Sequence, residues 1–219
     1  MIRVVIGDDH GVVREGLVAL LQRESDIQVL AQAQNGLDLV RAAREHGPDV
    51  VVADVSMPVM NGVEAIHHIR HESPRSKVLC LSVSDQTRQV LTALEAGAAG
   101  YVLKENSFEE LARGIRRVAA NQMYLSNELV GAVMAASRHG ASGGETPLTA
   151  RERQVAQLFS EGYSTLEIAG RLHVSSKTVA THREHLFHKL KIQSIAELTR
   201  YALREGLSAL DLPSRQLTI

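Results

Sequence analysis

The stretch VVVADVSMPVMNG, residues 50–62, decides how the first half of the chain is read. A short apolar run leads straight into an acid, Asp54, and a turn marked by Pro58, Asn61 and Gly62 follows at once. A run this short, β-branched and bounded by turn residues, has the signature of a buried strand. A carboxylate at the end of such a strand is costly unless something nearby compensates it.

Four further runs of this kind flank the first, at residues 2–7, 29–33, 77–82 and 100–103. Between them lie helical patterns. Val12, Val13, Leu17, Leu20 and Leu21 recur at spacings of three and four, and similar patterns cover 37–45, 62–71, 86–96 and 107–120. Strands alternating with helices predict βαβ units and a parallel sheet. Nearly unbroken apolar strands fit a sheet covered on both faces. The expectation is an α/β, doubly wound, five-stranded domain.

With 219 residues the chain is long enough for two domains. It is 44% hydrophobic, only 3% aromatic and free of tryptophan, so the cores should be aliphatic. No apolar run approaches the roughly 18 residues of a membrane span, and the start lacks a signal-peptide pattern. A single cysteine, Cys80, excludes an intramolecular disulfide and a cysteine-based metal cluster. The expectation is cytoplasmic, with no membrane partner. Formal charge is −3 over residues 1–120 and +3 over residues 148–219, a weak hint of different partners for the two halves.

Residues 121–125 turn out of the first domain, and Ser126 is placed to cap a short helix through residue 137. RHGASGGETP, residues 138–147, has the composition of a flexible linker. Beyond it the pattern is helical throughout. Thr149 with Glu152, and Ser164 with Glu167, form two capping boxes. Ser175 opens a third helix to about residue 190, and a fourth covers about 194–205, ending at Gly206. Two short helices joined by a tight turn make a helix-turn-helix. The predicted boundaries are 1–121, a linker helix and linker over 122–147, and an all-α four-helix domain over 148–212.

Asp54 has company. Asp8 and Asp9 end the first strand, Ser82 ends the fourth, and Lys104 follows the fifth. In a doubly wound sheet the carboxyl ends of the strands line one crevice. Converging carboxylates repel one another, and a hard cation with oxygen ligands, Mg2+, relieves that repulsion. A carboxylate can also act as a nucleophile toward a phosphoryl group. Lys104 is then a point charge for one phosphoryl oxygen and Ser82 a hydrogen-bond donor to another. A lone aspartate after a strand is usually a cap. The conjunction across four strand ends outweighs that plainer reading.

IGDDHGVVREGL, DVSMPVMNG, the LS before the fourth helix and GYVLK together resemble a response-regulator receiver domain. LTARERQVAQLFSEGYSTLEIAGRLHVSSKTVATHREHLFHKL resembles a LuxR-type helix-turn-helix. The combination resembles the NarL/FixJ family of two-component transcription factors across nearly the whole chain. The resemblance implies a flavodoxin-like strand order of 2-1-3-4-5. It makes Asp54 the phosphoacceptor, served by a sensor histidine kinase. Asp8, Asp9, Asp54 and the backbone carbonyl of Ser56 become the Mg2+ ligands, Lys104 the phosphoryl contact, and Ser82 with Tyr101 the switch pair. The family is a regulator rather than an enzyme, and it works as a homodimer on double-stranded DNA. Gly11 stands where proline is frequent in the family. Ser56 occupies the position that tunes autodephosphorylation. A plainer reading of Tyr101 is a half-buried tyrosine on an edge strand, its hydroxyl wet.

The third helix of the second domain carries Lys177, Thr178, Thr181, His182 and Arg183 near its start, the part of such a helix closest to base edges in a major groove. Ala180, Glu184 and Leu166 replace basic or polar residues common in relatives, so the DNA contact rests on fewer phosphate partners. His67 with His71, and His182, His185 and His188, have metal-compatible helical spacings, but no cluster of acids or cysteines accompanies either set and solvated faces are expected. HExxH, GxSxG and P-loop motifs do not occur. The rival expectation is an interaction module acting through protein contacts, with little or no specific DNA binding.

Overall fold

The computed structural model describes residues 1–138, 148–205 and 207–208. The predicted linker segment 139–147, the stop at Gly206 and the domain end at 212 lie outside them. The chain divides into two compact units, residues 1–144 and 145–219.

In the first unit, β1 (Ile2–Gly7), β2 (Ile27–Ala33), β3 (Val50–Asp54), β4 (Lys77–Ser82), β5 (Gly100–Leu103) and β6 (Tyr124–Leu125) form one sheet in the order 2-1-3-4-5-6. Every pairing is parallel. The expected sheet thus gains a sixth strand. β6 pairs Tyr124 with Gly100 and Leu125 with Tyr101, so β5 is not an edge. Two residues are too few for a periodic signal, which is why residues 121–125 read only as a turn. β2 begins two residues earlier than its apolar run because Ile27 is buried while Gln28 faces out.

The helices α1 (Gly11–Leu21), α2 (Gly36–His46), α3 (Gly62–Glu72), α4 (Thr87–Ala96) and α5 (Phe108–Ala119) cover both faces of the sheet. One face buries Val5, Val51, Ala53 and Cys80 under α2, α3 and α4. The other buries Val4, Ile6, Val52, Leu79 and Leu81 under α1 and α5. This two-sided burial is what makes β3 apolar at every position before Asp54. α6 (Asn127–Arg138) belongs to the same unit: Leu129 and Val133 lie in the cluster that holds Val90 and Ala93 of α4.

The quoted stretch folds as a tight return. Val59 has a left-handed backbone with φ 68°, and the Met60 amide donates to the Pro58 carbonyl at 2.7 Å, a γ-turn. Asn61 then caps α3 by accepting from the Glu64 amide at 2.8 Å. Gly62 is obligatory, since a Cβ there would run into the Asp54 carbonyl.

The second unit is helical: α7 (Ala150–Ser160), α8 (Thr165–Arg171), α9 (Ser176–Leu190) and α10 (Ile195–Arg204). Both capping boxes form with their reciprocal bonds. Val155, Leu158, Ile168, Val179, Leu186 and Leu198 make its aliphatic core. His173, at φ 52°, makes the left-handed step between α8 and α9. No helix among the described residues is long and apolar enough to cross a membrane.

Candidate functional site

Parallel pairing aligns the strand ends of the first unit, and the chemistry gathers there. Asp8 follows β1, Asp54 ends β3, Ser82 ends β4, and Lys104 follows β5. Lys104 Nζ lies 2.7 Å from Asp54 Oδ2 and 2.8 Å from Asp8 Oδ2, bridging the two acids. Asp8 and Ser82 are fully buried and Asp54 nearly so. Asp54 Oδ1 accepts from the Ser56 amide at 3.1 Å, and Asp8 Oδ1 from the His10 amide at 2.8 Å.

Burial pushes the Asp54 carboxyl above its ordinary range. Lys104 pulls it back, Asp8 pushes it further up, and the net direction is upward. Burial alone would pull Lys104 down, but the charges and hydrogen bonds of Asp54 and Asp8 outweigh it and raise its pKa. The site is a buried excess of negative charge held by one cation.

Among the described residues, Asp8, Asp9, His10 and Asp54 form a group whose ligand atoms all lie within 4.8 Å of one another. A divalent cation fits this donor set. The three carboxylates converge, the group opens to solvent at Asp9 and His10, and Lys104 by itself leaves net negative charge. The Ser56 amide faces Asp54, while its carbonyl belongs to the same return of chain. His10 was not expected at this site: its Nδ1 lies 2.9 Å from Asp9 Oδ1. His67 and His71 sit on the exposed side of α3, and neither enters a group of this kind.

Sequence reasoning also missed Arg14. Its guanidinium is buried and donates to the Asp8 carbonyl at 2.6 Å, pinning the loop that carries the acids. The available signal was its register: Arg14 shares the buried stripe of α1 with Val18 and Leu21, where a cation must have a partner.

Ser82 Oγ accepts from the Ser84 amide at 3.1 Å, and the Lys104 amide donates to the Ser82 carbonyl at 2.7 Å. Tyr101 differs from the plainer expectation. The ring lies in the core cluster with Val90 and Ala93 of α4 and Leu129 and Val133 of α6, so it is fully buried, and its hydroxyl donates to the Ser84 carbonyl at 3.1 Å. Burial pushes the Tyr101 pKa upward.

In the second unit, Ser175 caps α9 by accepting from the Thr178 amide at 3.0 Å, and its hydroxyl meets that of Thr178 at 2.8 Å. Lys177, Thr178 and Thr181 are exposed along the leading face of α9, with His182 at its margin and His185 one turn on. Arg183 does not share this face. At about 100° per residue it falls on the far side from Lys177 and Thr181, next to the position of the buried Val179, and it is half-buried. The remaining basic side chains include several tied into the scaffold. Arg151 donates to the Leu172 carbonyl at 3.0 Å, Arg171 stacks 4.1 Å from the Tyr163 ring centroid, and Lys189 pairs with Glu152 at 2.8 Å.

Comparison with known proteins accounts for both units. Residues 4–116 match the response regulator receiver domain, and residues 146–202 match the bacterial regulatory proteins of the luxR family. The transcriptional regulatory protein MctR of Rhizobium johnstonii is 38% identical over 209 residues, 94% of this chain and 95% of MctR. The nitrate/nitrite response regulator protein NarL of Escherichia coli is 33% identical over 207 residues, 93% of this chain and 96% of NarL. Among solved structures, a LuxR-family two-component response regulator from an Aurantimonas species is 32% identical with a TM-score of 0.60, covering 64% of this chain and 99% of that one. A receiver of doubly wound topology followed by a LuxR-type helix-turn-helix, in one chain aligned end to end with such regulators, has one assignment: the chain belongs to the NarL/FixJ family of response-regulator transcription factors.

Proposed function

We propose that Asp54 accepts a phosphoryl group from the phosphohistidine of a sensor histidine kinase. A carboxylate oxygen of Asp54 attacks phosphorus, the P–N bond breaks and the imidazole leaves. Asp8, Asp9, Asp54 and the Ser56 carbonyl would hold Mg2+, which would supply charge neutralisation for the phosphoryl oxygens. The observation that carries this reading is the buried Asp54–Lys104–Asp8 bridge at the strand ends, two carboxylates sharing one lysine. Lys104 can keep one hydrogen bond to Asp8 while turning another to a phosphoryl oxygen. Ser82 can rotate its hydroxyl from the Ser84 amide toward the same group. Tyr101, whose ring is already inward, holds the Ser84 segment in place.

The output is homodimerisation and sequence-specific binding to double-stranded DNA, with Lys177, Thr178, Thr181 and His182 at the base edges and Arg183 reserved for the flank. We place the domain boundaries at 1–121 and 148–212 with the linker between, the protein in the cytoplasm, and its activity in regulation rather than in turnover of an external substrate.

The test is phosphorylation by acetyl phosphate with Mg2+, read by phosphate-affinity electrophoresis. Loss in Asp54→Asn with the fold intact is the expected result, and full phosphorylation of that variant would overturn the assignment. One observation favours the rival interaction module: Ala180 and Glu184 leave α9 with few cations on its exposed face. A steep dependence of DNA affinity on salt, with a sequence preference, decides for the transcription factor.

A further inference from the structure

Tyr101 and Lys104 lie on one strand and the loop that follows it, and that strand and loop are both wired to the start of α6. The Ser126 amide donates to the Tyr101 carbonyl at 3.1 Å. Ser126 Oγ accepts from the Leu103 amide at 3.3 Å and from Asn106 Nδ2 at 3.2 Å. The Ser126 carbonyl in turn accepts from the Leu129 amide at 2.9 Å, in the first turn of α6. Asn106 stands two residues after Lys104, and its side-chain amide also donates to Glu110 at 2.7 Å and reaches Glu128 of α6 at 3.4 Å.

The serine is fully buried, so each of these bonds forms away from water and is expensive to break. A serine at a helix start ordinarily gives its oxygen to that helix. Ser126 gives both lone pairs of its hydroxyl to donors from β5 and the β5–α5 loop. The body of α6 rests on α4: Leu129 and Val133 share a core cluster with Val90 and Ala93 of α4 and with Tyr101 itself. Strand, loop and α4 therefore all bear on one helix, and among the described residues α6 is the last element of the first unit.

We propose that Ser126 and Asn106 are positioning residues: a joint that converts the state of the Asp54 site into the set of α6. The proposal rests on the reading of Asp54 as the phosphoacceptor. When Lys104 turns toward a phosphoryl oxygen, the loop carrying Asn106 moves with it, and the Ser126 tie obliges α6 to follow.

Hydrogen–deuterium exchange on the full chain, with Mg2+ and with or without beryllofluoride, tests this directly. In the parent protein, exchange at 82–84, 103–106 and 127–136 is expected to change together, by about fivefold or more, the lower range of ordinary allosteric coupling. In Ser126→Ala and in the more exposed Asn106→Ala, the response at 82–84 should persist while that of α6 is lost, and Ser126→Thr should restore it. An α6 response that survives in both alanine variants overturns the proposal, as does a parent α6 that stays unchanged while Asp54 is loaded. If acetyl phosphate fails to phosphorylate Asp54 in the parent, the phosphoacceptor reading fails and takes the joint with it.

Discussion

Two lysine–carboxylate contacts, one from each unit, are nearly the same length. Lys104 and Asp54 meet at 2.7 Å in the first, Lys189 and Glu152 at 2.8 Å in the second. The electrostatic outcomes are opposite. Asp54 is held above its ordinary pKa because burial outweighs its lysine and Asp8 adds repulsion. For Glu152, burial also pushes upward, but Lys189 together with the Thr149 amide and hydroxyl outweighs it and the net direction is downward. Glu152 is a settled group: Oε2 accepts from the Thr149 amide at 2.8 Å and closes a capping box while the lysine ties α9 to α7. Asp54 is an unsettled one: it shares its lysine with Asp8, and burial leaves its net direction upward. Distance alone does not separate a structural ion pair from a reactive one. The deciding facts are how many donors satisfy the carboxylate and whether a second acid shares its cation.

The sharpest way to break this contrast is to remove the lysines' work. Lys104→Met should cost about 3 kcal/mol at neutral pH in metal-free buffer, because it strands two buried carboxylates. A urea titration measures it, and added Mg2+ should recover part of the loss. A cost below about 1 kcal/mol would mean that water already solvates the pair, as on a surface.

Glu152→Gln keeps a capping acceptor but discards the charge facing Lys189. A smaller loss is expected, about 1–2 kcal/mol in the second unit, the scale of a charged hydrogen bond. Mg2+ should leave this loss unchanged.

The pH dependences should run in opposite directions. Asp54 has a raised folded pKa, so its contribution is fully present below its ordinary value of 3.8 and is lost as pH rises through the raised value. Asp54→Asn should therefore melt a few degrees above the parent at neutral pH without metal, and the gap should close as pH falls toward 3.8. Glu152 has a lowered folded pKa, so its contribution is present above 4.5 and fades as pH falls through the lowered value. Melting curves of parent and variants between acid and neutral pH would show whether the two gaps diverge. Parallel curves would erase the distinction between the sites.

The smallest effect is expected beside Asp54. Val59→Gly relieves a left-handed backbone at a β-branched residue, worth about 1–2 kcal/mol, against about 0.5–1 kcal/mol of added unfolded-state entropy. A net gain below about 1 kcal/mol in urea denaturation would show strain stored next to the acid cluster, and a net loss would show that the valine side chain packs well enough to outweigh it.

Much of this was legible in the chain. The strands announced themselves because both faces of the sheet are buried, which turns each into an unbroken apolar run. The capping boxes at Thr149 and Ser164 were equally plain, since their spacing is fixed by hydrogen bonds within one helical turn. Asp8, Asp54, Ser82 and Lys104 could be placed on one rim because parallel strands have a common carboxyl end. The misses have one cause. β6 is two residues long and exists only because β5 offers an open edge. Tyr101 reads as an edge-strand residue in sequence, but β6 extends the sheet beyond it and α4 and α6 pack over its ring. Arg14 lies on a helical stripe that is otherwise apolar, so its partner is set by a carbonyl outside the helix rather than by the pattern.

The sequence by itself determined the order of the longer elements, the two folding units and the identity of the acidic rim, because periodicity, capping and strand polarity are local and written within a few residues. Only the tertiary structure decided that one lysine serves two acids, that His10 joins their cluster, that Tyr101 is sealed inside, and that Ser126 gives its hydroxyl to another element. Those facts depend on which side chains from distant segments share the same low-dielectric space, and no local pattern encodes that proximity.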